Sequence, residues 1–122
     1  MRILVTGSRN WDDEAQIRLA LMETVAERLM NDDEGVIIIH GDAPGADTIA
    51  AQFAESMNWT VEAYPADWKK FGRSAGPIRN QQMVDSGADI CVAFPQPGSV
   101  GTRDCTKRAF KAGIRVRTYE PV

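Results

Sequence analysis

The sequence is poor in the residues that build metal centres and disulfide frameworks. It has two cysteines and one histidine. Cys91 and Cys105 form no C-x-x-C pair and neither has a histidine nearby, which argues against zinc. With acids scattered rather than clustered, neither a metal nor any other cofactor is expected. Thiols without a disulfide pattern fit a reduced, cytoplasmic setting. No apolar run approaches the ~18 residues of a membrane span, so no membrane partner is expected. The opening MRILVTGSRN carries only a short apolar run and no small-residue cleavage site, and reads as a buried strand rather than a signal peptide. A strong charge of one sign is also missing. A net charge of −3 over 122 residues exerts no global pull on nucleic acid or an anionic membrane. Repeats, linkers and low-complexity stretches are absent, so residues 1–122 read as a single domain.

Short apolar runs and helix-period patterns alternate along the chain. ILVTG (3–7) is β-rich and ends in Gly. Asp12 and Asp13 stand where a helix cap and first-turn acids belong. Ile17, Leu21, Val25 and Leu29 then form one apolar stripe, closed by NDDEG (31–35). VIIIHG (36–41) has the continuous apolarity of a strand buried on both faces. Ala46, Ile49, Ala50, Phe53 and Met57 make a second stripe, and TVEAYP (60–65) a third strand. ADWKKFGRSAG follows as an irregular stretch rich in Trp, Lys and Arg. A third helix starts near Pro77 and ends near Gly87. ICVAFP (90–95) is a fourth strand. A fourth helix runs from about Thr102 to Ala112 and stops at Gly113. RVRTYE (115–120) is a more polar edge strand. Strands alternating with helices predict an α/β, Rossmann-like three-layer sandwich: a five-stranded parallel sheet, order 3-2-1-4-5, with four helices.

In that order the strand direction of growth reverses between strands one and four, and ligands bind beyond the carboxyl ends there. The flanking loops are GSRNW (7–11) and PQPGSVGT (95–102), with HGDAPGAD (40–47) beside them. A plain strand-to-helix turn needs one Gly or none. Gly98 and Gly101 around Ser99 allow close backbone approach, and amides at a helix start attract anions. Ser99 and Thr102 add hydroxyls. The bland alternative is a tight turn capped by Thr102. In the second loop, Gly41 and Asp47 are candidate ligand contacts, or only a turn glycine and a first-turn acid.

TGSR after the first strand, HGDAPGAD after the second, GPIRNQQMV on the third helix and FPQPGSVGT after the fourth strand together resemble the SLOG superfamily. The nearest resemblance is to its YspA-like single-domain branch, over nearly the whole chain. That resemblance implies a Rossmann-like fold and a nucleotide or nucleotide-derived ligand. The related Lonely Guy phosphoribohydrolases cut the N-glycosidic bond of nucleoside monophosphates. Their motifs are an Arg followed four residues later by Met, matched by Arg79 and Met83, and a PGGxGTxxE turn. Pro97 to Thr102 follow that turn, with Ser99 in place of a Gly and one extra residue between strand and motif. The family's catalytic Glu falls at Asp104, a shorter acid. The resemblance therefore implies catalytic roles for Arg79 and Asp104, and a homodimer, as the Lonely Guy enzymes form. It leaves a non-catalytic nucleotide sensor or sequestering module as an alternative. Single-stranded nucleic acid, bound by relatives such as DNA-processing protein A, is a further alternative that the negative charge disfavours.

The single residues carry paired readings. Arg79, in the first turn of the third helix, opposes the helix dipole, which suggests pairing with a phosphate or carboxylate; the other reading is a surface salt bridge. Asp104 in a first turn is favoured by the dipole alone, or faces a ribose. Arg9 after Gly7 and Ser8 reaches a phosphate or is a solvated loop cation. Asn80 adjoins Arg79 and offers a ligand hydrogen bond. Trp68, Lys69, Lys70, Phe71 and Arg73 suit stacking on a base, or packing at the sheet edge or a subunit contact. His40 reads as structural before catalytic, and Cys91 as core.

Overall fold

A computed structural model of the chain describes residues 1–27 and 35–121. Strands β1 (Arg2–Gly7), β2 (Ile37–His40), β3 (Thr60–Ala63), β4 (Ile90–Phe94) and β5 (Arg115–Thr118) alternate with helices α1 (Glu14–Ala26), α2 (Ala46–Ser56), α4 (Ala75–Asp85) and α5 (Val100–Lys111). The strands form one five-stranded sheet in the order β3-β2-β1-β4-β5, and every neighbouring pair is parallel. This is the predicted α/β architecture. No helix among the described residues is long and apolar enough to cross a membrane.

Side chains alternate across a strand, so a continuous apolar run feeds two cores. Ile3, Val5, Ile38, Val92 and Phe94 face Ile17, Leu21 and Ala50 in one core. Leu4, Ile39 and Cys91 face Met83, Val84 and Ala109 in the other. Asp13 caps α1, its side chain accepting from the Gln16 amide at 3.1 Å. The predicted stripe holds at Ile17, Leu21 and Val25, all buried; Leu29 and most of NDDEG lie outside the described residues. The second stripe holds at Ala46 and Ala50, but Met57 is exposed. It is the C-cap residue, beyond the last turn that packs on the sheet.

The predicted irregular stretch is partly helical. A one-turn helix α3 (Trp68–Phe71) and a 3₁₀ turn (Gly72–Ser74) lead into α4. Asp67 caps α3 by accepting from the Lys70 amide at 3.1 Å, a local bond that competes with open coil. Because α4 begins at Ala75, Arg79 stands at its fifth residue and not in the first turn as the sequence suggested. The same shift occurs at α5. Its N-cap is Ser99, not Thr102, so Asp104 also lies beyond the first turn. The cause is the turn before it. Gly98 has φ +85°, the Ser99 amide donates to the Gln96 carbonyl at 3.0 Å, and the Gln96 amide donates to Ser99 Oγ at 3.0 Å. These reciprocal bonds start the helix early.

Candidate functional site

The two strands that flank the reversal of order end level with each other, Gly7 of β1 pairing with Phe94 of β4. Beyond them opens a crevice of about 290 Å³, lined by the β1 loop, the α2 start, one face of α4 and the turn into α5. Of the predicted ligand residues, Gly7, Ser8 and Arg9 line it from the first loop, and Asp47 from α2. Arg79 and Asn80 line it from α4, and Gly98, Ser99, Gly101 and Thr102 from the fourth loop. A second cavity of about 620 Å³ adjoins it and shares Arg9, Arg79, Asn80, Val100 and Gly101 with it. Gly41 borders neither cavity, and Asp104 borders only the outer one.

The glycines divide into two kinds. At Gly101 an added Cβ would meet no atom within 4 Å, so this helical position is open to the cavities. Gly98 also has open space, but its positive φ requires glycine for a different reason. Gly7 and Gly41 make room for the protein itself. A Cβ at Gly7 would stand 2.5 Å from the Cβ of Ala46, where α2 crosses close over β1. A Cβ at Gly41 would stand 2.4 Å from Nη1 of Arg79. Gly41 is therefore a passage for the arginine.

Arg79 is held by two neutral partners. Its Nη1 donates to the Gly41 carbonyl, and its Nε donates to Asn80 Oδ1 at 2.9 Å. Neither bond uses Nη2 or satisfies the charge. Asn80 in turn donates through Nδ2 to Asp104 Oδ2 at 2.9 Å and to the Gly101 carbonyl at 3.2 Å, tying α4 to α5. Asp104 Oδ2 also accepts from Arg108 Nε at 2.9 Å, one turn further along α5. Burial would raise the Asp104 carboxyl, but the hydrogen bonds from Arg108 and Asn80 outweigh it and hold it below the usual range. Asp104 is thus an ionised, paired carboxylate. Arg108 was not foreseen, although its spacing of four from Asp104 was readable as a helix ion pair.

Asp47 is the unusual acid. It is 5% exposed. Its Oδ2 accepts from the amides of Gly41, at 2.9 Å, and Ala43, at 3.4 Å, while its Oδ1 is buried without a partner. Burial pushes its carboxyl up to about 6, against the pull of those amides and the Arg79 charge. Ser8 and Ser99 spend their hydroxyls internally. Ser8 Oγ donates to the Gln96 side-chain oxygen and accepts from the Asn10 amide at 3.1 Å. Gln96 therefore bolts the first loop to the fourth. Sequence reasoning missed it, because a glutamine between two prolines carries no distinctive pattern. His40 is structural. It is buried, its Nδ1 accepts from the Asp42 amide at 2.9 Å, and burial holds the ring below its ordinary value, hence neutral.

The crevice suits an anion. The first amides of a helix lack carbonyl partners, and in α5 they belong to the Gly101 and Thr102 region beside Arg9 and Arg79. Among the described residues no three or more metal-binding side chains converge.

Comparison with known proteins bears on this geometry. A family model described as "YspA, cpYpsA-related SLOG family" matches residues 1–71. The chain is 45% identical over 123 aligned positions to "Gene 61 protein" of Mycobacterium phage D29, covering 97% of this chain and 95% of that protein. No solved structure matches significantly.

Proposed function

The chain belongs to the YspA, cpYpsA-related SLOG family, and from that premise we propose that it binds a nucleotide or nucleotide-derived ligand by its phosphate. One observation carries this reading: the turn Gly98–Thr102 and the start of α5 share a crevice with Arg9 and Arg79, and the two bonds of Arg79 go to uncharged groups. A phosphate there would meet helix amides and the helix dipole from one side and guanidinium from the other. Membership of the family supports a nucleotide-related ligand. The experiment is a thermal-shift screen of nucleotides and their derivatives, since a ligand of the folded state raises its apparent stability. Phosphate-bearing ligands should raise the melting temperature and their dephosphorylated counterparts should not. A panel that leaves the melting temperature unchanged throughout overturns the reading.

Hydrolysis of the N-glycosidic bond of a nucleoside monophosphate is a second reading. Asp104 bordering the outer cavity beside Arg79 and Asn80 favours it. A carboxylate there would stabilise positive charge developing on a ribose as the base leaves. Its pairing with Arg108 favours the sensor or sequestering role, in which the ligand is held and not cut.

A further inference from the structure

The outer cavity has a wall that the phosphate reading does not use. Trp68 borders it and is 51% exposed, an unusual amount of indole to leave in water. Two contacts orient it nonetheless. Asp67 caps the one-turn helix that carries it, and the outer edge of the indole lies over Gly76. A Cβ at Gly76 would stand 3.4 Å from Trp68 Cη2, so the first turn of α4 supports the ring. Pro77 and Val100 add apolar surface, and Arg9 and Arg73 keep the cavity positive. At about 290 Å³ the inner crevice falls at the bottom of the size range of small-ligand sites, roughly 300–1,000 Å³. A complete nucleotide therefore extends into the outer cavity, through the stretch shared by Arg79, Asn80 and Gly101.

We propose that the outer cavity is a base subsite, in which the nucleobase of the ligand stacks on Trp68 while its phosphate occupies the crevice. The inference rests on the phosphate reading above. Stacking is sequence-tolerant, since every base has a π-face, and an electropositive surround suits an electron-rich ring. Asp104 borders the same cavity, and both of its hydrogen bonds fall on Oδ2. Oδ1 is left to accept from an amino group at the edge of the base.

The test is calorimetric titration of the full chain with the four common ribonucleoside monophosphates and with ribose phosphate, which lacks a base. At least one nucleotide should bind about five- to hundredfold more tightly than ribose phosphate, the range typical of one stacked base. Trp68→Ala should remove that advantage and leave ribose phosphate binding unchanged. Trp68→Phe should keep most of it. Nucleotide should also quench tryptophan fluorescence in the natural protein and not in Trp68→Phe, whose remaining indoles are the buried Trp11 and the half-buried Trp59. If ribose phosphate binds and no nucleotide binds better, the base subsite is wrong and the phosphate reading stands. If Trp68→Ala weakens both kinds of ligand alike, the indole supports the fold and not the base. If neither kind binds the natural protein, both readings fall.

Discussion

At the scale of the residue, two charged groups in the crevice have testable consequences. The Asp47 carboxyl titrates at about 6 in the folded chain against an ordinary 3.8. Between those values the folded state holds a proton that the unfolded state has released, so the contribution of this group to stability falls as pH rises and levels off above the folded value. The whole effect is on the order of 2–3 kcal/mol. Asp47→Asn keeps an oxygen for the Gly41 and Ala43 amides and cannot ionise. Denaturant titrations should show the variant gaining on the natural protein from about pH 4 to about pH 6 and no further. A constant difference across that window would mean Asp47 titrates as an ordinary surface acid. Arg79 is tested on the ligand. Arg79→Ala should remove a charged hydrogen bond of about 1.5–3 kcal/mol, a ten- to hundredfold loss of affinity in calorimetry. Gly41→Ala should weaken binding in the same direction without touching the ligand, because its Cβ would occupy the path of the guanidinium. Affinity unchanged in both variants would remove Arg79 from the site.

At the scale of the element, the turn into α5 separates fold from function. Gly98→Ala forces a side chain into left-handed backbone at φ +85° and should cost about 1–2 kcal/mol of stability. At Gly101→Val the added Cβ meets no neighbour and glycine inside a helix is replaced, so stability should hold or rise slightly, while the added methyls fill the shared stretch of the two cavities and abolish binding. Thermal unfolding and calorimetry on both variants check the pair. A Gly101→Val protein that binds normally would move the ligand away from α5. The same element marks where sequence reading reaches its limit. That α5 stops just before Gly113 is legible from the glycine stop. Its start is not, because Thr102 is as good a cap by type as Ser99. The choice is made by bonds between Gln96 and Ser99 that only the folded turn contains. The close packing at Gly7 and Gly41 was hidden from the sequence for a related reason. A glycine that clears a ligand and one that clears Ala46 or Arg79 look alike until the chain is packed.

At the scale of the whole molecule, the strand order was legible because short apolar runs and helix-period patterns alternate cleanly, and right-handed crossovers leave few ways to arrange them. That order brings loops far apart in sequence to one edge of the sheet, which is why most candidate residues meet around one crevice. The partners of those residues were less legible, since Asp104 meets Asn80 only once α4 packs on α5. Turnover depends on this assembled arrangement. With the phosphate at Gly98–Thr102 and the base at Trp68, the ribose lies near Arg79, Asn80 and the outer face of α5. Asp104 then has a carboxylate on the correct side, but one shared with Arg108 and one methylene shorter than the glutamate of the Lonely Guy enzymes. Two hydrogen bonds lower its charge density where an oxocarbenium-like ribose would need it most. The expected outcome is binding without release of free base from any nucleoside monophosphate. Asp104→Asn should leave the phosphate contacts intact and so bind ribose phosphate as the natural protein does. Chromatography of long incubations with a confirmed ligand checks the expectation. Base appearing with the natural protein, lost in Asp104→Asn and retained in Asp104→Glu, would make the chain a phosphoribohydrolase and overturn the sensor reading.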